Sequence, residues 1–278
     1  MNTTWASAAR VMIVVMLACL GGCKKTLPPS AGQDEIAVAN AYLGAIVRDL
    51  CGDTVPVFDL APPGMCPGHF DMTPSQAWRL YQARVLLVFD FQSNVAKVLD
   101  RKTANAPKVI TLKPGPGMCI PQTYLAMLDE TAQALGTLYP DKCEQFRLRQ
   151  AEIKERLAQL EQGVKARIEQ AGLTGLNVLT SRHQAEFCRW LGLNPVDTFA
   201  GSDTETAAQI NQNLSNTGRN PIALIIANQQ EGTQLAKALA EHLAIKVAVF
   251  SNFPQGDASP AFDALVTRNV NALIEAVH

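Results

Sequence analysis

Residues 141–172 read DKCEQFRLRQAEIKERLAQLEQGVKARIEQAG. Pro140 and Asp141 offer a start and an N-cap, and Gly172 offers a stop. Between them there is no proline and one interior glycine, Gly163. Ala, Leu, Gln, Glu, Lys and Arg dominate, residues that lose little on entering a helix. Phe146, Ile153, Leu157, Leu160, Val164 and Ile168 recur at spacings that keep one apolar stripe on one face. At 1.5 Å per residue such a helix is about 45 Å long, more than one small lobe can hold. A coiled-coil partner helix is the alternative, but the stripe lasts only about three heptads and strand–helix patterns flank it on both sides. The spacing therefore predicts a rigid strut, 141–172, between two similar lobes.

The first lobe spans 35–140. Ile36–Asn40 reads as a short buried strand, Ala41–Cys51 as a helix and Val55–Leu60 as a second strand. A Pro/Gly-rich loop, APPGMCPGHFDM, fills 61–72. Thr73 caps the next helix, with Pro74 at its first position. RVLLVFDF, 84–91, is a continuous apolar run of the kind buried on both faces. A helix from Ser93, a strand at Lys108–Leu112, a second Gly/Pro loop (KPGPGMCIP, 113–121) and a helix from Gln122 to Leu138 close the lobe. The second lobe, 173–278, repeats the alternation. Its strands are Leu176–Thr180, Val196–Ala200, Ile222–Ala227 and Lys246–Phe250; its helices begin at Arg182, Thr204, Gly232 and Pro260. Short connections between alternating strands and helices argue for an α/β fold: two lobes with parallel sheets, joined by one long rigid helix. Ligands of such sheets sit at the carboxyl ends of the strands.

Hydrophobic residues make up 47% of the 278 and charged residues 18%, enough to bury two modest cores. The formal net charge of −1 carries no electrostatic footprint for nucleic acid. At the N-terminus, Arg10 precedes the apolar run VMIVVMLACL, too short to span a bilayer as a mature helix. The run closes with Leu20-Gly21-Gly22-Cys23, which resembles a bacterial lipobox. That pattern implies loss of residues 1–22, lipid on the Cys23 thiol, and anchorage to a bacterial membrane facing the periplasm or cell exterior. An ordinary signal peptide with a chance cysteine is the alternative. Residues 23–34, with Pro28, Pro29 and Gly32, read as a tether. Cys51, Cys66, Cys119, Cys143 and Cys188 remain. In an oxidising compartment this odd number leaves at least one thiol free, paired with another chain or on a metal. Cys51, Cys143 and Cys188 lie in helical patterns and are expected to be buried or paired.

The two Gly/Pro loops share a Gly-Met-Cys triplet: Gly64-Met65-Cys66 and Gly117-Met118-Cys119. The first also holds His69 and Met72, and His183 opens the first helix of the second lobe. His69 and His183 thus fall at strand-to-helix junctions, whereas His242 lies mid-helix and His278 ends the chain. Imidazole and thiolate suit zinc and copper, and thioether favours Cu(I). The alternatives are a Cys66–Cys119 disulfide, solvated histidines and methionines that only pack.

The lipobox, the His69 loop followed by Thr73-Pro74-Ser75-Gln76-Ala77, the strut, and Arg268-Asn269-Val270-Asn271-Ala272-Leu273 near the end together resemble the metal-binding lipoproteins of zinc/manganese ABC transporters. The resemblance covers about Ile36 to Val277. It implies two Rossmann-like lobes with the metal between them, and an ABC permease in the membrane as partner. It also implies three His and one acidic ligand. His69 matches the first His position. The second falls in the loop before Pro121, where this chain has Pro116, Met118 and Cys119. The third falls near Ser181, two residues from His183. The acidic position falls near Ser251, or in some relatives at Asn228, and neither is a carboxylate. Asp257 lies in the loop after Ser251, and the family's His-rich acidic loop is absent.

The expected function is therefore a monomeric lipid-anchored binding protein that captures a transition-metal ion for an importer. Zinc is the first expectation, with copper or manganese as alternatives. The metal candidates are His69, Cys66, Cys119 and His183. A second class is an accessory or non-metal binding lipoprotein on the same scaffold. A third is an extracytoplasmic enzyme, for which the chain has no nucleophile elbow, no HExxH and no phosphate-binding Gly loop with its Lys.

Overall fold

The computed structural model describes residues 35–61, 72–97, 99, 106–200, 221–255 and 259–277. The lipobox, the tether, the loop holding Cys66 and His69, and the helix expected from Thr204 lie outside them. No described helix is long and apolar enough to cross a membrane.

The first lobe holds β1 (Ile36–Val38), α1 (Ala41–Cys51), β2 (Val57–Asp59), α2 (Pro74–Gln82), β3 (Val85–Phe89), α3 (Ser93–Lys97), β4 (Lys108–Leu112) and α4 (Pro121–Gly136). The strut is α5 (Cys143–Gln170). The second lobe holds β5 (Asn177–Ser181), α6 (Ala185–Trp190), β6 (Asn194–Phe199), β7 (Leu224–Asn228), α7 (Gln234–Leu243), β8 (Lys246–Phe250) and α8 (Ala261–Val277). Each lobe carries a four-stranded parallel sheet, ordered β2-β1-β3-β4 in the first and β6-β5-β7-β8 in the second. The strand order reverses between β1 and β3, and again between β5 and β7. Those two switch points are where an open parallel sheet leaves a crevice.

The strut runs for 28 residues, about 42 Å. Phe146, Ile153, Leu157, Val164 and Ile168 are buried, as the stripe requires, with Leu160 partly so. Its stop is Gly172 at φ 66°, where Gly172 N–H donates to Glu169 O and Leu173 N–H to Ile168 O. Its start differs from expectation. Asp141 lies inside a 3-10 turn, Pro140–Lys142, and the α-helix begins at Cys143 without a side-chain cap. The turn's own bonds, Lys142 N–H to Tyr139 O and Cys143 N–H to Pro140 O, serve N–H groups at this end.

The expected pair of cores is a shared one. Val85, Leu87 and Phe89 on one face of β3, the strut stripe, and Leu224, Ile226, Phe250 and Phe262 belong to a single buried cluster running through both lobes. Alternation along the strands sends Leu86 and Val88, and Ile225 and Ala227, to two smaller outer clusters under α2 and α7.

The expected cap of α2 is present in full. Thr73 Oγ1 accepts from Gln76 N–H, and Gln76 Oε1 accepts from Thr73 N–H at 2.9 Å. Gln76 Nε2 also donates to Leu60 O at 2.9 Å, tying the helix start to the end of β2. Thr73→Ala is expected to cost about 1 kcal/mol, read as a lower midpoint in urea at unchanged slope.

Candidate functional site

The carboxyl ends of the two sheets face each other. The loop after β4 meets the loop after β8, where the Cys119 thiol donates to Ser251 O at 3.1 Å. Aromatic rings meet beneath it: Tyr124 of α4 stacks on Phe262 of α8 at 4.1 Å, and Tyr42 of α1 meets Phe262 edge-on at 6.2 Å. The β4 loop is shaped by Gly117 at φ 70°, where a side chain would strike Ile120 Cδ1 at 2.4 Å. Tyr42 Oη donates to Met118 O at 2.9 Å and holds the loop from below.

At the switch point of the second sheet, β5 ends in Ser181 and a 3-10 turn, Arg182–Gln184; β7 ends in Asn228 and a 3-10 turn, Gln229–Glu231. The two turns bring His183 and Glu231 together, with Nε2 and Oε1 3.4 Å apart. The His183 side chain is 64% exposed and that of Glu231 20%. Ser181 Oγ donates to the other Glu231 oxygen and accepts from His183 N–H at 3.3 Å. The result is an exposed imidazole beside an anchored, largely shielded carboxylate, groups that suit zinc or another borderline divalent ion.

Glu231 is the residue that sequence reading missed. The resemblance puts the acidic position of some relatives at Asn228, but the turn carries the carboxylate three positions on. The signal available was the acidic residue closing Asn-Gln-Gln-Glu directly after the clearest strand.

Cys119 occupies a different setting. It is fully buried, and burial pushes its thiol far up, only partly opposed by a hydrogen bond from Asn269. Around it the buried polar groups are neutral. Gln184 Nε2 donates to Asn228 Oδ1 at 3.2 Å and Asn252 Oδ1 at 3.0 Å; Gln230 Nε2 donates to Ser251 Oγ at 2.9 Å. Gln184 Oε1 has no hydrogen-bond partner among the described residues. In the first lobe Asn40 caps α1 and donates to Gln92 Oε1 at 2.7 Å across the switch point of that sheet.

The structure thus describes two of the four expected donors, Cys119 buried and His183 exposed, whereas Cys66 and His69 lie outside the described residues. Among the described residues no group of three or more His, Cys, Asp and Glu side chains could hold a metal ion. Met72 packs on the outer core of the first lobe, and His242 is exposed. Cys51, Cys119, Cys143 and Cys188 are free thiols. Burial pushes Cys51 up to about 11 and Cys188 up to about 12. Cys143 is exposed, contrary to the expectation that it is buried or paired.

The model of the family described as zinc-uptake complex component A, periplasmic, matches residues 119–276. No curated protein matches the chain. Among solved structures, a manganese-bound variant of the periplasmic metal binding protein from Candidatus Liberibacter asiaticus superposes with a TM-score of 0.73 at 15% identity, covering 88% of this chain and 100% of that one. The SBP FpvC from Pseudomonas aeruginosa in complex with Mn2+ gives 0.71 at 15% identity, covering 88% and 98%. The same protein with Ni2+ gives 0.70 at 15%, covering 87% and 96%. At these identities the likeness is one of fold.

Proposed function

The chain belongs to the family of periplasmic zinc-uptake components, and on that premise we propose that it is a metal-binding protein, anchored by lipid on Cys23, that delivers zinc to an ABC permease as a monomer. The observation that supports this reading is the His183–Glu231 pair, 3.4 Å apart at the switch point of the second sheet. Manganese, nickel or cadmium accompanies the structural neighbours, and copper suits the thiols. Imidazole with thiolate favours zinc over manganese. The proposed donors are His69, Cys66, Cys119 and His183, with Glu231 added as the carboxylate. Cys119 can serve only by giving up both its proton and its bond to Ser251 O, so its ligation releases a proton. The domain reading keeps 35–140 and 173–278 as the lobes and 141–172 as the strut.

The test is metal content and zinc titration of the purified full-length protein, prepared without chelator. One zinc per chain is expected, with affinity lowered at least about tenfold in His183→Ala and in Glu231→Gln. Cys119→Ser lowers zinc affinity only where the thiol is a ligand. No stabilisation by zinc, manganese or copper would sink the reading. A second reading, a non-metal binding lipoprotein on this scaffold, is favoured by one observation: the buried polar groups around Cys119 are amides and hydroxyls without charge.

A further inference from the structure

One buried side chain sits where the two lobes touch. Asn269, on α8 and 2% exposed, pairs with both polar groups of the Ser251 backbone. Its Oδ1 accepts from Ser251 N–H at 2.9 Å, and its Nδ2 donates to Ser251 O at 2.9 Å. The same Nδ2 lies 3.5 Å from Cys119 Sγ of the opposite lobe. Cys119 in turn donates to Ser251 O at 3.1 Å and approaches Asn252 Oδ1 at 3.8 Å. One peptide carbonyl of the second lobe therefore receives a donor from each lobe, and the thiol both gives and receives.

We propose that Cys119, Ser251 and Asn269 form a latch that joins the facing loops of the two lobes before any cargo is bound. Three features carry it. The groups are neutral, so the join needs no ion to balance charge. They are buried, so water does not compete for their hydrogen bonds. Asn269 holds the Ser251 peptide by both its amide ends, so the carbonyl that Cys119 meets is fixed in place. The loop on the first-lobe side is already shaped by Gly117 and held by Tyr42 Oη on Met118 O, so the latch fixes a stiff element rather than a loose one. Cargo that takes the Cys119 thiol must first break its bond to Ser251 O, so the join and thiol ligation exclude each other. This rests on the reading of the cleft as the cargo site only in its last step; the latch itself uses no metal ion.

The test is hydrogen exchange on the full-length protein freed of metal by chelation. The reporters are the amides of Ile120, bonded to Gly117 O, and Ser251, bonded to Asn269; Leu87 and Ile226 are core controls. In the wild-type chain both reporters should be protected without metal. Asn269→Leu should speed exchange at both by at least about tenfold, because a lost buried bond unties both sides. Cys119→Ala should do so at Ile120 while the controls stay put, and Cys119→Ser, which keeps a donor, should restore protection. Cys119→Ala carries the decision where Asn269→Leu disturbs the controls. An Ile120 amide that exchanges freely in the wild-type chain, or is unmoved by both Asn269→Leu and Cys119→Ala, overturns the latch. Zinc is absent throughout, so failure of the chain to bind zinc is a separate result.

Discussion

Phe262→Ala is expected to lower the stability of the protein by about 4 kcal/mol, the range for emptying a buried aromatic position. Phe262 is fully buried and belongs to α8 of the second lobe, yet its ring partners come from the first. It stacks on Tyr124 at 4.1 Å with planes 28° apart and meets the edge of Tyr42 at 6.2 Å. Truncation opens a hole between the lobes that neither helix can close alone, because α1 and α4 are pinned by their own sheet. At 2–4 °C per kcal/mol for a chain of about this size, the melting temperature should fall by roughly 10 °C. Phe262→Leu keeps most of the volume and should cost only about 1 kcal/mol. Thermal melts of the two variants check this; equal losses would mean that ring geometry rather than filled volume matters here.

Arg156→Met should be the second large loss, about 3 kcal/mol, for an electrostatic reason. Arg156 projects from the strut to both lobes. It pairs with Asp49 of α1 at 2.7 and 3.3 Å, and its Nε lies 3.2 Å from Asp263 of α8, an ion pair without the alignment of a hydrogen bond. Tyr124 Oη donates to Asp49 at 2.8 Å and Arg149 Nε to the Asp49 carbonyl at 2.9 Å. Removing the guanidinium leaves two largely shielded carboxylates facing each other, the case in which breaking a buried pair costs most. Asp49→Asn combined with Arg156→Met should recover part of the loss.

Asp263→Asn should behave in the opposite sense. Burial raises the Asp263 carboxyl, Arg156 lowers it and Asp49 raises it again, leaving it above its ordinary value. A carboxyl whose folded pKa is raised contributes stability below its unfolded pKa and loses that contribution as pH climbs through the folded value. At neutral pH the ionised group therefore opposes folding. Asp263→Asn should match or exceed the wild-type chain there, and the difference should vanish below the ordinary Asp range. Urea midpoints of both proteins from pH 3 to 7 would show it. A variant less stable than wild type at pH 7 but equal at pH 3 would reverse the assigned sign.

Local periodicity carried most of the fold. The strut stripe needs only neighbours three and four residues apart, so Phe146 to Ile168 announced a helix and its buried face without any tertiary information. The Thr73–Gln76 box and the stop at Gly172 are likewise chemistry of adjacent residues. The continuous apolar run at 84–91 marked a strand buried on both faces, and β3 is one. Asp141 shows the limit of that logic, since a 3-10 turn opened by Pro140 placed it inside rather than at the cap.

The site was less legible, because it is assembled from strand ends far apart in sequence. His183 was visible as a histidine at a junction, but its partner Glu231 is 48 positions on and is brought to it by the parallel pairing of β5 with β7. Cys119 looked like a ligand because thiols often are. Its burial against Ser251 and Asn269, 132 and 150 residues away, depends on how the two lobes meet. The sequence by itself determined the elements and the strut, since hydrophobic period, caps and turn residues act over a few neighbours. Only the tertiary structure decided that the lobes share one core, that a carboxylate faces His183, and that Cys119 is a buried donor, because those depend on contacts no local pattern encodes.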